Sequence, residues 1–452
     1  MGRISLRQAA QWCGGWVDSK YEDISFFGAS NDSRKIQPGQ LFVALQGQRD
    51  GHDFIPKALE NGASAVLCSH CHGDFPAIIV DDPRLALGAI AREERKRIGM
   101  QVVGVTGSVG KSTTKEMIAC VLSSRYHVEK TPVNHNNDIG MPMAILSMPE
   151  DTEVAVLEMG MNHFREIAYL ASIALPDVAV IINIGTMHIE HLGSQEGILK
   201  AKLEILEGMR PEGCVILNGD DRLLWNVQKN RQNVTYFGVQ NPHCQILGHQ
   251  VVENDGSVGF TVELEDDRFD VLLQLEGKHF VHDALAAVSV GLALEIPAEM
   301  IAQSLKHFEN MDGRQEIREY GGITVIQDYY NAGPESMAAA LNVLGNRTGR
   351  KIAVLGDMLE LGMCAAAEHY KIGRIAAEKA DVVFAYGPNG CRVVSGARTG
   401  GMVQSHSRHF EDKDELADVL KHTAKPGDVI LIKGSHGMHM EEILHAFLKE
   451  ET

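Results

Sequence analysis

A lysine set between a glycine and two hydroxyl residues is the part of this sequence with the most legible chemistry. In Thr106-Gly107-Ser108-Val109-Gly110-Lys111-Ser112-Thr113 the glycines let main-chain N–H groups close around phosphate oxygens, and a helix opening behind them adds partial positive charge. The Lys111 ammonium would then offset the charge of terminal phosphates, and the Ser112 hydroxyl would ligate magnesium. The loop departs from strict Gly-x-x-x-x-Gly-Lys: Val105 stands where the first glycine belongs, and the glycine is displaced to Gly107. The bland alternative is a glycine-rich turn with a solvated lysine. A buried strand before the loop and a helix after it, expected from Lys115 to Leu122, argue for the nucleotide.

Three more residues have types and positions that suit phosphate chemistry. Glu158 follows the apolar run Val154–Leu157, and a carboxylate at the carboxyl end of such a strand is a common magnesium ligand. His188 follows Asn183-Ile184-Gly185, although a lone histidine after a strand is more often structural. Lys202 is the odd one. In the helix expected after Ser194, residues Ile198, Leu199, Leu203, Ile205, Leu206 and Met209 form one apolar stripe, and Lys202 falls in its middle. Lys200, Glu204 and Glu207 fall on the polar side. Two readings stay open: a stem that snorkels to the surface, or an amine kept neutral for chemistry, since burial can lower a lysine pKa by ~3–5 units.

These residues meet only if strands carry them to one edge. Val102–Val105, Val154–Leu157 and Val178–Ile182 are too short for helices and barely alternate, as suits strands covered on both faces of a sheet with parallel character. Gln245 to Leu275 alternates and predicts an antiparallel excursion, followed by an alanine-rich helix from Asp283 to Leu294. The expected class is α/β with three domains. Residues 1–99 form a small mixed unit with a strand at Leu41–Leu45, a helix at Phe54–Asn61 and a strand resuming at Ala65. Residues 100–312 form a central domain with a phosphate-loop mononucleotide-binding parallel or mixed sheet. Residues 313–452 form a doubly wound Rossmann-like domain with strands near Ile323–Ile326, Ile352–Leu355, Val382–Ala385 and Val429–Ile432.

Bulk properties narrow the partners. The 452 residues carry a formal net charge of -18, which repels nucleic acid and anionic membranes while leaving room for a small anion in a local pocket. No run approaches the ~18 apolar residues of a membrane span, and the first residues lack the apolar core of a signal peptide, so the expected location is the cytoplasm. Eight scattered cysteines suit reduced thiols. Cys68-Ser-His-Cys71-His72 has the spacing of a zinc half-site, but no second Cys-x-x-Cys completes it, and an ordinary loop is expected.

Taken together, Thr106–Thr113, Glu158-Met-Gly160, Asn183…His188 and Ala201-Lys202 resemble, in order and spacing, the Mur ligases of bacterial cell-wall synthesis. Asp328-Tyr-Tyr-Asn-Ala-Gly-Pro-Glu-Ser-Met337 and Gly356-Asp-Met-Leu-Glu-Leu-Gly362 narrow the resemblance, and Asp32-Ser-Arg34 with Asp50-Gly-His52 is similar to the UDP-binding domain of its last two ligases. The resemblance implies ATP and Mg2+ as cofactors, UDP-N-acetylmuramoyl-tripeptide and D-alanyl-D-alanine as substrates joined through an acyl phosphate, and a monomer. By position it implies Ser33 and Arg34 at the UDP end, and Asn134 and Asn137 in a loop facing the reacting groups. Glu158 and His188 would hold a second magnesium, and Lys202 would be a carbamate. Arg314 would contact the nucleotide, and Asp328, Tyr330 and Asn331 would link nucleotide and dipeptide.

Three positions depart from the family pattern. Asp283 stands where an adenine-contacting asparagine is usual, His436 where arginine is usual, and Gln327 where an acid is common. The rival readings are a related ligase adding a single amino acid, the more distant folylpolyglutamate synthase, a nucleotide-binding switch without ligase activity, and a redox or metal-storage protein. The first would carry an arginine-containing acceptor motif in place of Tyr330-Asn331-Ala332. The second lacks the UDP-type domain, and the third leaves Lys202 and the third domain without a use.

Overall fold

Apolar runs with no polar alternation need cover on both sides, and in this protein they have it. The computed structural model describes residues 3–227, 233–254 and 256–449. Gln101–Thr106 lies between Val154–Glu158 and Val178–Ile181, paired in parallel with both. Along Val178–Ile181, Val178 and Val180 enter one apolar core while Ala179 and Ile181 enter another. These strands sit inside a nine-stranded sheet. Beyond Val178–Ile181 come Cys214–Asn218 and Val234–Gly238, and beyond Val154–Glu158 comes Val128–Lys130.

The far edge of that sheet is the antiparallel excursion. Ile246–Asn254, Ser257–Glu263 and Arg268–Leu273 form a meander, and the first of them joins the sheet by parallel pairing to Val234–Gly238. The helices Lys111–Leu122 and Phe280–Ala293 pack on the same core as this meander. The first begins at Lys111, four residues before the expected Lys115. Gly110, with φ +85, is its N-cap, and Ser112, Thr113 and Thr114 occupy the first turn despite modest helix propensity.

The N-terminal unit carries a four-stranded parallel sheet of Ala29–Ser30, Leu41–Val43, Ala65–Cys68 and Ala77–Ile79. A sixteen-residue helix, Pro83–Ile98, leads out of it, capped by the Asp82 carboxylate and ended at Gly99 (φ +75). This helix packs on the central helices Gly140–Leu146 and Glu166–Ala174. One apolar core therefore runs without a break from Ile4 and Leu6 to Leu217 and Tyr236.

The C-terminal domain has a six-stranded sheet in the order Glu316–Tyr320, Ile323–Asp328, Val429–Lys433, Lys351–Gly356, Val382–Tyr386, Ser407–Phe410. Every pairing is parallel except that of the first two strands. Cores on both faces make it doubly wound. The two edge strands went unanticipated in the sequence, because Glu316–Tyr320 and Ser407–Phe410 are half polar and edge strands need little apolar cover.

The helix bearing Lys202 begins at Ser194, whose hydroxyl caps Gly197 N–H, and runs Gln195–Leu203. It then tightens into a 3-10 turn, Glu204–Gly208. The tightening corrects the expected polar side. Glu204 is turned inward and 5% exposed, and its carboxylate accepts from Arg165 N at 2.8 Å and Ala168 N at 3.2 Å. The unpaired N–H groups at the start of the helix Glu166–Ala174 draw it off the face that Lys200 occupies.

Candidate active site

The phosphate loop is held open from behind by a side-chain amide. Asn183, just past its strand, accepts from Ser108 N at 3.0 Å and Val109 N at 2.9 Å and donates to Val109 O at 2.9 Å. The Ser108 hydroxyl accepts from Gly185 N. Lys111 Nζ donates to the carbonyls of Gly107 and Ser108, at 2.9 and 3.2 Å, and so is held over the loop. Beneath it, Asp283 accepts from the Thr114 hydroxyl at 2.8 Å. A Cβ at Gly110 would lie 2.6 Å from Asp283 Oδ1, so both space and backbone require glycine there. Asp283 lies under the loop and also lines the cavity above it. Burial pushes its carboxyl up to about 7, against the pull of Thr114, His282 and Arg314.

Glu158 is the hub of the site. Its Oε2 accepts from the Ser112 hydroxyl at 2.6 Å and its Oε1 from Asn136 Nδ2 at 2.8 Å. Burial alone would push this carboxyl up. Lys111, the hydrogen bonds from Ser112 and Asn136, and Lys115 outweigh it and hold the group below its ordinary value. Ser112 in turn accepts from Arg314 Nη2 at 2.8 Å. Ser112 and Glu158 thus present converging hard oxygens with the Lys111 and Arg314 charges beside them, a donor set that suits magnesium.

Lys202 is 2% exposed, and among the described residues the charge that acts on it is that of Lys111, not of a carboxylate. Burial lowers its ammonium pKa well below the lysine range, and repulsion from Lys111 adds to this. A stem that reaches the outer surface does not fit this burial; Lys202 feels the charge of Lys111 but is not among the residues that line the cavity. His188 has left-handed backbone (φ 64) and lines the same cavity as Glu158. Its Nδ1 lies 2.6 Å from Glu360 Oε2, at an angle off a straight hydrogen bond.

The C-terminal domain closes the cavity, whose volume is about 1000 Å³. The Arg314 guanidinium lies over the Tyr330 ring at 3.8 Å, and the Tyr330 hydroxyl donates to Asn134. Asp328 and Lys433 end neighbouring parallel strands and pair at 2.7 Å, with Lys433 2% exposed and also donating to Asn331 O at 2.9 Å. His436 meets the Tyr330 ring at 5.9 Å between centroids. Gln327 is buried and bonds Tyr320 and Tyr329, away from the cavity lining. Glu335 accepts from Thr186 N and Oγ1, both at 3.1 Å.

Several participants escaped the sequence reading. Asn136 sits between the two asparagines singled out there, and only its contact with Glu158 separates it from them. Asn137 Oδ1 accepts from Ile139 N at 3.1 Å and Gly140 N at 2.8 Å, at the entry to the helix Gly140–Leu146, and the residue also lines the cavity. His279, Lys433 and Glu335 line it as well; Glu335 lies inside the Asp328–Met337 motif, but the sequence reading gives none of the three a role. Ser33 and Arg34 lie apart from the cavity. Ser33 is buried and its carbonyl accepts from Asn61, while Arg34 folds back in a fork on Asp32. The loop after Ala65–Cys68 is ordinary in its thiols, which are free. Asp50, His52 and His70 approach one another there, but both His52 nitrogens are engaged, Nδ1 by Asp50 at 2.6 Å and Nε2 by Ser69 N at 3.1 Å.

A phosphate loop, an ionised carboxylate on the next strand, a buried lysine and a second α/β domain closing over them define a nucleotide-dependent ligase site. Family models agree: the Mur ligase middle domain matches residues 105–291, the glutamate ligase domain of Mur ligases residues 313–436, and the catalytic domain of the Mur ligase family residues 26–95. The chain belongs to the Mur ligase family, a class of ATP-dependent ligases. It is 40% identical over 437 residues to the UDP-N-acetylmuramoyl-tripeptide–D-alanyl-D-alanine ligase of Bacillus subtilis, covering 95% of this chain and 94% of that one. The enzyme of the same name from Escherichia coli is 35% identical, with 95% of each chain covered. A crystal structure of MurF from Acinetobacter baumannii superposes with a TM-score of 0.90 at 30% identity over all of both chains. MurF from Thermotoga maritima in complex with ADP gives 0.84 at 30%, covering 94% of this chain and 97% of that one.

Proposed function

We propose that this protein joins D-alanyl-D-alanine to UDP-N-acetylmuramoyl-tripeptide with consumption of ATP. The observation that carries the reading is the chain of contacts Glu158–Ser112–Arg314–Tyr330–Asn134, which ties the phosphate loop to the C-terminal domain across one cavity. The names of relatives alike over nearly the whole chain supply the substrates.

A carboxylate is a poor acyl donor, so its oxygen first takes the γ-phosphoryl group of ATP, giving an acyl phosphate. The dipeptide amine then attacks that carbonyl and phosphate leaves. Lys111 and Arg314 supply fixed positive charge where the phosphoryl group carries negative charge, and their placement ahead of reaction is the source of rate. Ser112, Glu158 and His188 would hold magnesium, which supplies Lewis-acid neutralisation of phosphate charge when bound. A neutral Lys202 amine adds carbon dioxide and loses a proton to become a carbamate, an anion that the Lys111 ammonium attracts. Closure of the C-terminal domain keeps water from the acyl phosphate.

The same reading has Ser33 and Arg34 serve the UDP end, Asn137 face the reacting groups, and Asp283 and Asp328 serve the nucleotide side. It makes the protein a cytoplasmic monomer; no helix among the described residues is long and apolar enough to cross a membrane. The test is phosphate release from ATP with magnesium and each substrate alone or together. Release only with both, and a pentapeptide product by mass, is the expected result. Turnover with a single amino acid in place of the dipeptide would overturn the acceptor, and nucleotide binding without turnover would overturn the ligase.

A further inference from the structure

Glu360 lies in the C-terminal domain, in the turn between Gly356 and Gly362, and neither the phosphate loop nor the Asp328 motif gives it a task. Its backbone is left-handed (φ 62), as is that of His188 (φ 64) on the central domain. Residues with a Cβ are held in that conformation only where their surroundings insist, and such positions gather at functional sites. Here the two face each other across the domain boundary, with His188 Nδ1 and Glu360 Oε2 2.6 Å apart. Gly362 (φ +50) completes the approach, since a Cβ there would lie 3.0 Å from Glu190 Cβ, in the short helix that follows His188.

His188 Nδ1 is buried and has no hydrogen-bond partner where it stands, and the Glu360 carboxylate is the acceptor beside it at 2.6 Å, so a small turn of the ring makes Nδ1 the donor. In a neutral imidazole that leaves the lone pair on Nε2, the nitrogen available to a cation in the cavity that His188 lines. The nearby His163 and His191 contact one another instead, with centroids 4.6 Å apart.

We propose that Glu360 is a positioning residue for the metal site: it fixes the tautomer and ring orientation of His188 so that Nε2 is presented to the cation, a carboxylate–histidine–metal relay whose carboxylate comes from the other domain. Metal affinity is then tied to docking of the C-terminal domain. This rests on the reading of His188 as a metal ligand, and the experiment separates the two.

The full chain labelled with 15N in its histidine rings reports the tautomer of His188, assigned by its loss in His188→Gln. Mn2+, as a magnesium surrogate, is titrated by electron paramagnetic resonance. The expected result is Nδ1–H in the wild type, exchange between tautomers with roughly tenfold or greater loss of Mn2+ affinity in Glu360→Ala, and recovery of both in Glu360→Gln, whose amide oxygen still accepts. If Glu360→Ala keeps the wild-type tautomer and affinity while His188→Gln weakens binding, the role given to Glu360 is overturned. If His188→Gln binds Mn2+ as tightly as the wild type, the metal-ligand reading fails and this inference fails with it.

Discussion

Lys202 is a base stored where no acid answers it, and that makes its chemistry testable. Lys202→Ala is expected to lower ligation by about 10²-fold or more, with high bicarbonate and a short carboxylic acid restoring part of it; full activity without either would remove the carbamate. Asp283 offers a test by stability. Its folded pKa of about 7 lies above the ~3.9 of an unfolded aspartate, so the native state binds the extra proton and stability falls as pH rises from about 4 through about 7. Asp283→Asn removes that loss. Its thermal midpoint should exceed the wild type's at pH 8 and converge with it near pH 4; a difference that does not change with pH would refute the assignment. At this scale the sequence pointed to Lys111 and Ser112 through the glycine-rich loop, to Glu158 through its place at the end of a covered strand, and to Lys202 because it breaks an apolar stripe. It hid the support Asp283 gives the phosphate loop, because Thr114 lies 169 residues away.

Strands and helices were legible wherever one period ruled, as in the covered strands around Gln101–Thr106 and the alternating meander at 246–273. They were obscure where the period changed, as at Glu204, or where an edge strand could stay polar. Two predictions belong to elements. Asp328→Ala leaves the buried Lys433 at the end of its strand without a counter-charge, which should cost about 3–5 kcal/mol in chemical denaturation. Lys433→Met in the same chain should recover most of it; an additive double variant would mean the pair is not coupled. Gly110→Ala forces a Cβ towards Asp283 at the helix N-cap, and nucleotide affinity measured by calorimetry should fall more than tenfold. An unchanged affinity would show that the loop has room to give.

At the scale of the whole molecule, an acidic protein of net charge -18 sets Lys111 over the phosphate loop and Arg314 on Ser112, so that positive charge is placed locally in a cavity whose lining also carries Asp138, Glu166, Asp328 and Glu335. Several joins hold the C-terminal domain over that cavity: Arg314 to Ser112, Tyr330 to Asn134, Glu335 to Thr186, Glu360 to His188, and Arg347 to Glu276. Arg314→Lys keeps the charge but loses the planar stack on Tyr330 and the forked donor geometry. The KM for ATP should rise about tenfold, and an unchanged KM would mean that charge alone is read. None of these joins was visible in the sequence beyond the motif positions themselves, because each pairs residues from different domains.

The continuous core from Ile4 to Tyr236 also bears on how the chain is made. The helix Pro83–Ile98 buries its face against Gly140–Leu146 and Glu166–Ala174, and that core closes only with Leu217 and Tyr236. On the ribosome, then, the first hundred residues emerge with an apolar surface still waiting for partners more than a hundred residues downstream. At ~5–20 residues per second the wait is roughly ten seconds or more, an interval in which the nascent chain is a natural client for a holding chaperone. Within the last domain, Ile323–Asp328 likewise waits for Val429–Lys433, the strand it pairs with.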